Sequence, residues 1–326
     1  MKDKHSNLLD PHFFTGFVQA LGCFHVNLQE NRKGKHKMRI KPTFYLTQRN
    51  ENNTLCSPIL EMGKQLLKTG YCVKDKRNNC SSLCVSTLKG LSEYVLPHFE
   101  KYPLLSRKND DFLTFKSIVI KMNKKVYREK ESFFSLVEEA VSMNNSGKYR
   151  KKYHKQPSNT IKKGTIDSSG VLNPGFVSGL LQGIGSFGIS FNTRKNKKNE
   201  TVPKLSPFFS LVQENESRLL LEKFKEFFKS GKVYHLSSKY SRWMVSDRKL
   251  LLERVLPHFV EAPLIGVKNE QLLIFKKSLD ILEKPTTCKR EKRENIRSVI
   301  ELCYDINMGG KRRKITKLDY LRAIAS

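Results

Sequence analysis

The chain has 326 residues, 38% of them hydrophobic, and 61 Lys and Arg against 31 Asp and Glu leave a formal charge of +30. That length can bury a real core in one large or two ordinary domains, and 20 Phe with 11 Tyr exclude a disordered polyelectrolyte. No apolar run approaches the roughly 20 residues of a spanning helix, so no membrane partner is expected, and so large a cationic surplus points first to nucleic acid.

The opening MKDKHSNLLD contains two aspartates and runs straight into the first patterned element, which leaves no room for a signal or transit peptide. Asp10-Pro11 then starts a helix, with an oxygen-bearing cap before a proline whose missing N–H costs nothing there. Within FTGFVQALGCF, residues 14–24, Gly16 and Ala20 form a bald stripe, and Gly22 stands where a C-cap glycine is favoured. The alternating CFHVNL, the basic RKGKHKMRIK and TFYLTQ read as a hairpin carrying Arg32, Lys33, Lys35, Lys37, Arg39 and Lys41. An amphipathic helix over PILEMGKQLLKTG, short strands around CVKDKRNNCSSLCVST, and a helical segment through EYVLPHFEKYPLLSRKNDDFLTFK complete the first unit, residues 1–143.

Residues 144–166 are a linker rich in cations, among them Lys148, Arg150, Lys151, Lys152 and Lys155, with Tyr149 and Tyr153 able to stack on bases. The pattern then repeats over residues 167–285. Asn173-Pro174 caps VSGLLQGIGSF, residues 177–187, where Gly179 and Gly183 form the matching stripe. SFGISF and FFSLVQ flank a second basic stretch with Arg194, Lys195, Lys197, Lys198 and Lys204. ERVLPHFVEAPLIGVKNEQLLIFK aligns with the earlier LPHF phrase, and two long matches at nearly one offset mean a duplicated fold. A basic tail, 286–326, ends near Lys311, Arg312, Arg313 and Lys314. The order αββαββα in each half predicts an α+β fold with antiparallel sheets, and the bald stripes predict paired helices in a monomer that is internally a pseudo-dimer. Strand alternation points about half of each basic set to one face.

Seven cysteines without a CxxC pair fit separate thiols in a reducing interior, with neither a disulfide framework nor a metal site expected. His98 and His258 recur with the LPHF phrase and are expected to be structural; Trp243 is expected in packing.

FTGFVQALG and VSGLLQGIG resemble the two LAGLIDADG motifs of a single-chain homing endonuclease, and the phrases after them are similar to those of that family over residues 10–285. The resemblance implies two domains joined by the paired helices, sheets laid on duplex DNA, and divalent metals held by an acidic residue at the eighth position of each motif. Here those positions are Leu21 and Ile184, and the sixth are Gln19 and Gln182. Magnesium requires oxygen ligands, which leucine and isoleucine lack. The expectation drawn from this departure is a protein without cofactors that has lost endonuclease activity. It would bind structured RNA, with ribosomal RNA and ribosomal proteins of a mitochondrial ribosome favoured. An intron maturase on intron RNA comes second, and a DNA-binding endonuclease, active or decayed, third. Abundant Lys, Asn and Phe with scarce Ala suit A+T-rich codons, hence an organelle: the mitochondrion, with the chloroplast as alternative.

Overall fold

Asp10 and Asn173 start the two motif helices in the same way. The Asp10 carboxylate accepts from His12 N at 2.9 Å, and Asn173 Oδ1 accepts from Gly175 N at 2.8 Å, each with proline in the first turn. The computed structural model describes residues 9–33, 35–50, 56–75, 78–143, 171–195, 201–304, 306 and 316–325.

The first repeat runs α1 (Pro11–Leu21), β1 (Gly22–Glu30), β2 (Met38–Arg49), α2 (Pro58–Leu67), β3 (Tyr71–Asp75), β4 (Cys80–Val85), α3 (Leu88–Gly90), a π-helical stretch (Leu91–Val95), α4 (Leu96–Lys101), α5 (Ser106–Asn123) and α6 (Lys130–Ser142). The second runs α7 (Pro174–Ile184), β5 (Ser186–Lys195), β6 (Thr201–Glu214), α8 (Arg218–Phe228), β7 (Lys232–His235), β8 (Tyr240–Val245), α9 (Arg248–Leu250), a π-helical stretch (Leu251–Val255), α10 (His258–Glu261) and α11 (Val267–Glu283). The tail adds α12 (Lys289–Cys303) and α13 (Lys317–Ala325). Each sheet is antiparallel and four-stranded, in the orders β1-β2-β4-β3 and β5-β6-β8-β7, as the α+β reading anticipates. Among the described residues no helix is long and apolar enough to cross a membrane.

The chain divides into two compact units, Met1–Gly183 and Ile184–Ser326. All of α1, and α7 up to Gly183, therefore lie in the first. There they touch backbone to backbone: a Cβ at Gly16 would fall onto the Phe176 carbonyl, and one at Gly179 onto the Phe13 carbonyl. A Cβ at Gly183 would meet Ala20 Cβ and Leu21. Gly22 ends α1, but not as the left-handed cap its position suggests. Its φ of −73° is extended, so the chain passes directly into β1, and glycine is required because a Cβ would strike Val18.

In the first unit Phe24 sits among Phe44, Phe99, Phe112 and Phe115, with centroids 5.3–5.5 Å away. In the second Trp243 is fully buried, stacks on Phe228 at 5.2 Å and donates to the Ser230 carbonyl at 3.0 Å. His98 packs edge-on against Phe14 and Phe99, with Thr15 Oγ1 3.1 Å from its Nε2. His258 is edge-on to Phe227, Phe228 and Phe259. The π-helical stretch before each LPHF follows from its proline, which cannot donate and whose ring crowds the preceding turn.

Two tail helices cover the end of β5 and β6. Ile300, Tyr304, Tyr320 and Ile324 pack with Phe191 and Leu205, and Tyr320 Oη donates to the Phe191 carbonyl at 2.5 Å. One cysteine expectation is corrected. Cys56 and Cys72 form a disulfide with Cα atoms 6.0 Å apart, because the turn before α2 comes beside β3, a proximity that spacing along the chain does not reveal.

Candidate nucleic-acid interface

A strand buried on one side shows alternate residues on the other. In β2 the side chains of Ile40, Phe44 and Leu46 are buried, so Arg39, Lys41, Thr43, Tyr45, Thr47 and Arg49 share the opposite face. The register adds Gln29 opposite Arg39, Asn27 opposite Lys41, His25 opposite Thr43 and Cys23 opposite Tyr45. From β3 and β4 come Tyr71 paired with Cys84, and Ser82 and Cys80 opposite Thr47 and Arg49. Cys84 Sγ lies 3.4 Å from the Tyr71 hydroxyl. Burial, and after it the neighbouring Cys84, raise the phenol pKa of Tyr45, and the hydrogen bond with Cys84 raises that of Tyr71.

In the second sheet Phe187, Ile189, Phe209 and Leu211 are buried. The other face shows Ser186 opposite Ser210, Ser190 opposite Ser206 and Asn192 opposite Lys204, with Arg242 between Val212 and Tyr234. Both faces thus mix amides, hydroxyls and cations, the side-chain types that meet base edges and phosphates.

The predicted cations divide accordingly. Arg39 and Lys41 sit on the polar face of β2, whereas Arg32, Lys33, Lys35 and Lys37 occupy the exposed turn beyond it; Lys35 Nζ donates to the Arg128 carbonyl at 3.2 Å. Lys195 and Lys204 are exposed, and Arg194 pairs through its backbone with Val202. Lys197, Lys198, Lys148, Arg150, Lys151, Lys152, Lys155, Lys311, Arg312, Arg313 and Lys314 lie outside the described residues, as do Tyr149 and Tyr153. The sequence reading missed His25, Asn27, Gln29, Arg49 and Arg242, whose period-two spacing was the available signal.

At the motif helix ends Gln19 Oε1 accepts from Leu105 N at 2.9 Å, so the amide braces a loop. Lys108 Nζ donates to the Gly22 carbonyl at 2.5 Å, and Lys268 Nζ to the Gly185 carbonyl at 2.7 Å. These lysines occupy equivalent places in SRKND and GVKNE, a match visible in the sequence but unused there. Desolvation lowers Lys268 from 10.5 to about 8. From pH 8 to 10.5 the unfolded chain keeps a proton that the folded site has shed, so stability rises with pH across that window. Lys268→Met should flatten this rise, by about 3 kcal/mol, in urea unfolding free energies measured between pH 7 and 11.

Leu21 and Ile184 stand half-buried at these helix ends and offer no oxygen, so the eighth-position side chains do not fit a magnesium ion. Among the described residues one trio of candidate metal ligands lies together, Cys56, Glu61 and Cys72, and two of these are joined in the disulfide.

The sequence profile of the LAGLIDADG endonuclease family matches residues 14–119 and 177–279. A probable intron-encoded DNA endonuclease 1 of Mycosarcoma maydis is 26% identical over 275 residues, covering 80% of this chain and 96% of that protein. A probable intron-encoded endonuclease 2 of Neurospora crassa is 25% identical over 278 residues, covering 84% of this chain and 61% of the relative. The crystal structure of the I-LtrWI LAGLIDADG homing endonuclease bound to target DNA shares the fold, with a TM-score of 0.80 at 22% identity over 91% of this chain and 97% of that one.

These relatives overturn the expectation of lost endonuclease activity. That expectation rested on two side chains, and Leu21 and Ile184 remove two ligands only; a hard cation also draws on main-chain carbonyl and phosphate oxygens. Two motif helices matched by the family profile, each leading into a four-stranded sheet, make this chain a member of the LAGLIDADG endonuclease family.

Proposed function

We propose that the protein is an intron-encoded DNA endonuclease of the LAGLIDADG type, acting in an organelle, the mitochondrion before the chloroplast. The observation that carries the DNA reading is the register that gathers Gln29, Asn27, His25, Arg39, Lys41 and Arg49 on one face of the first sheet. Amides and arginine read base edges in the major groove, which admits antiparallel strands, while the lysines neutralise phosphate. The organelle assignment is supported by the codon-like composition and by the intron-encoded names of the relatives. Leu21 and Ile184 offer a metal ion no oxygen, and the cleavage part of the reading is supported by the names of the relatives.

Duplex selection from a random pool, followed by salt titration, tests the binding part. Lys41→Gln should weaken the selected site about 3–10-fold and make the salt slope shallower by about one. Equal binding of selected and scrambled duplexes would sink it. Incubating the selected duplex with magnesium tests cleavage, and the double change Leu21→Asp, Ile184→Asp should raise the rate by restoring oxygen ligands.

A second reading, binding of intron or ribosomal RNA, is favoured by α12. Lys289, Arg290, Lys292 and Arg293 are exposed there on a helix outside both sheets. Neutralising these four residues should leave DNA affinity within twofold and reduce RNA affinity, if RNA is the partner.

A further inference from the structure

A cavity of about 630 Å³ lies at the start of β2, between the turn that joins β1 to β2 and the corner where α5 gives way to α6. Its floor is apolar, made by Ile40, Met122 and Phe133, and its rim carries Lys35, His36, Arg39, Lys41 and Arg128. No carboxylate lines it. The ring of His36 lies flat on Phe133, with centroids 4.4 Å apart and planes 17° from parallel. This stack withdraws His36 Nε2 from solvent, and that nitrogen has no hydrogen-bond partner.

The combination is unusual for a packing defect. An apolar void alone stays dry and needs no rim, whereas buried polar atoms are nearly always satisfied. Here a stranded imidazole nitrogen, two arginines and two lysines surround an apolar floor with no acid among the lining residues to balance them. The volume is in the range of sites for small organic ligands, in which apolar walls supply contact and a few polar groups fix orientation. We infer that this cavity binds a small organic anion with an apolar body, an aryl or acyl carboxylate, sulfonate or phosphate. Its charged end would meet Arg128 and His36, and its body would lie on Met122 and Phe133.

DNA is the competing source of an anion, since the turn carrying Lys35 adjoins the polar face of the sheet. Arg39 and Lys41 of the polar face also line the cavity, so its mouth adjoins that face, while Ile40 on its floor belongs to the buried side of β2; competition between probe and duplex separates the two sources.

The probe is 8-anilinonaphthalene-1-sulfonate, titrated by fluorescence into the full-length protein. The expected result is saturable binding of one molecule per chain. Arg128→Glu should weaken it tenfold or more, and Arg128→Lys should keep it within about threefold. His36→Phe, which preserves the stack and removes the nitrogen, should weaken it at least fivefold without lowering the melting temperature. Both changes at Arg128 lie on an exposed residue, so folding does not confound them. Several probe molecules per chain, or affinity unchanged in Arg128→Glu and His36→Phe, would overturn the site. Competitive displacement of the probe by the selected duplex would assign these cations to the DNA footprint and overturn the inference, while leaving the DNA reading intact.

Discussion

Gly179→Ala is expected to destabilise the protein by about 3 kcal/mol or more, lowering the melting temperature by roughly 6–12 °C. The added methyl group would land on the Phe13 carbonyl and beside the Phe17 nitrogen, and both are backbone. A side chain can rotate away from an intruder, but helix backbone cannot without moving the whole element. Gly16→Ala meets the Phe176 carbonyl and the Leu180 nitrogen and should behave alike. Gly183→Ala meets Ala20 Cβ, which is fixed to its own backbone and cannot rotate away, and should cost nearly as much. Urea unfolding of the three variants checks this ranking; a Gly179→Ala midpoint equal to wild type would show that the helices have room to spare.

Acid should unfold the protein well above the pH at which its carboxylates titrate. Burial lowers both His98 and His258 from 6.5 to about 4, with His12 adding a smaller repulsion at His98. In the folded state neither ring accepts a proton until pH nears 4, whereas the unfolded chain takes up both from about 6.5 downward. Stability is therefore present in full above 6.5 and falls as pH drops towards 4. The loss is about 3 kcal/mol for each histidine, comparable in sum to the whole stability of an ordinary domain. His258→Phe, in a pocket already made of Phe227, Phe228 and Phe259, should shift the acid midpoint downward. An unchanged midpoint in fluorescence-monitored titration would show that other groups control acid unfolding.

The duplication and element order were legible because they are written locally. Caps, apolar periodicity and the two LPHF phrases each occupy a short window, and their repetition makes each confirm the other. Strand alternation was equally legible, but register was not. That Gln29 stands opposite Arg39 and Asn27 opposite Lys41 depends on how long the turn between the strands is, so the sequence picks out the basic run while the structure shows its neighbours. The basic run itself misleads, since cations dense along the chain fall in the turn, and only Arg39 and Lys41 share the polar face of β2. Lys108 and Lys268 were passed over because their role is to hold a carbonyl 86 and 83 residues away. Cys56 and Cys72 were read as separate for the same reason. The aliphatic residues at 21 and 184 offer no oxygen to a metal ion, but the step from two side chains to a lost activity was too broad, and the relatives overturn it.

The glycine contacts between α1 and α7 also bear on how the two repeats can diverge. Each half can change the polar face of its own sheet independently, and they have done so: Asn27 and Gln29 adorn one, Ser186 and Ser190 the other. Along the helix stripe no such freedom exists, because a change at Gly16 must be answered by the backbone at Phe176, and one at Gly179 by that at Phe13. Change between the repeats is thus confined to the strands, and two unlike sheet faces are the natural outcome of a symmetric ancestry.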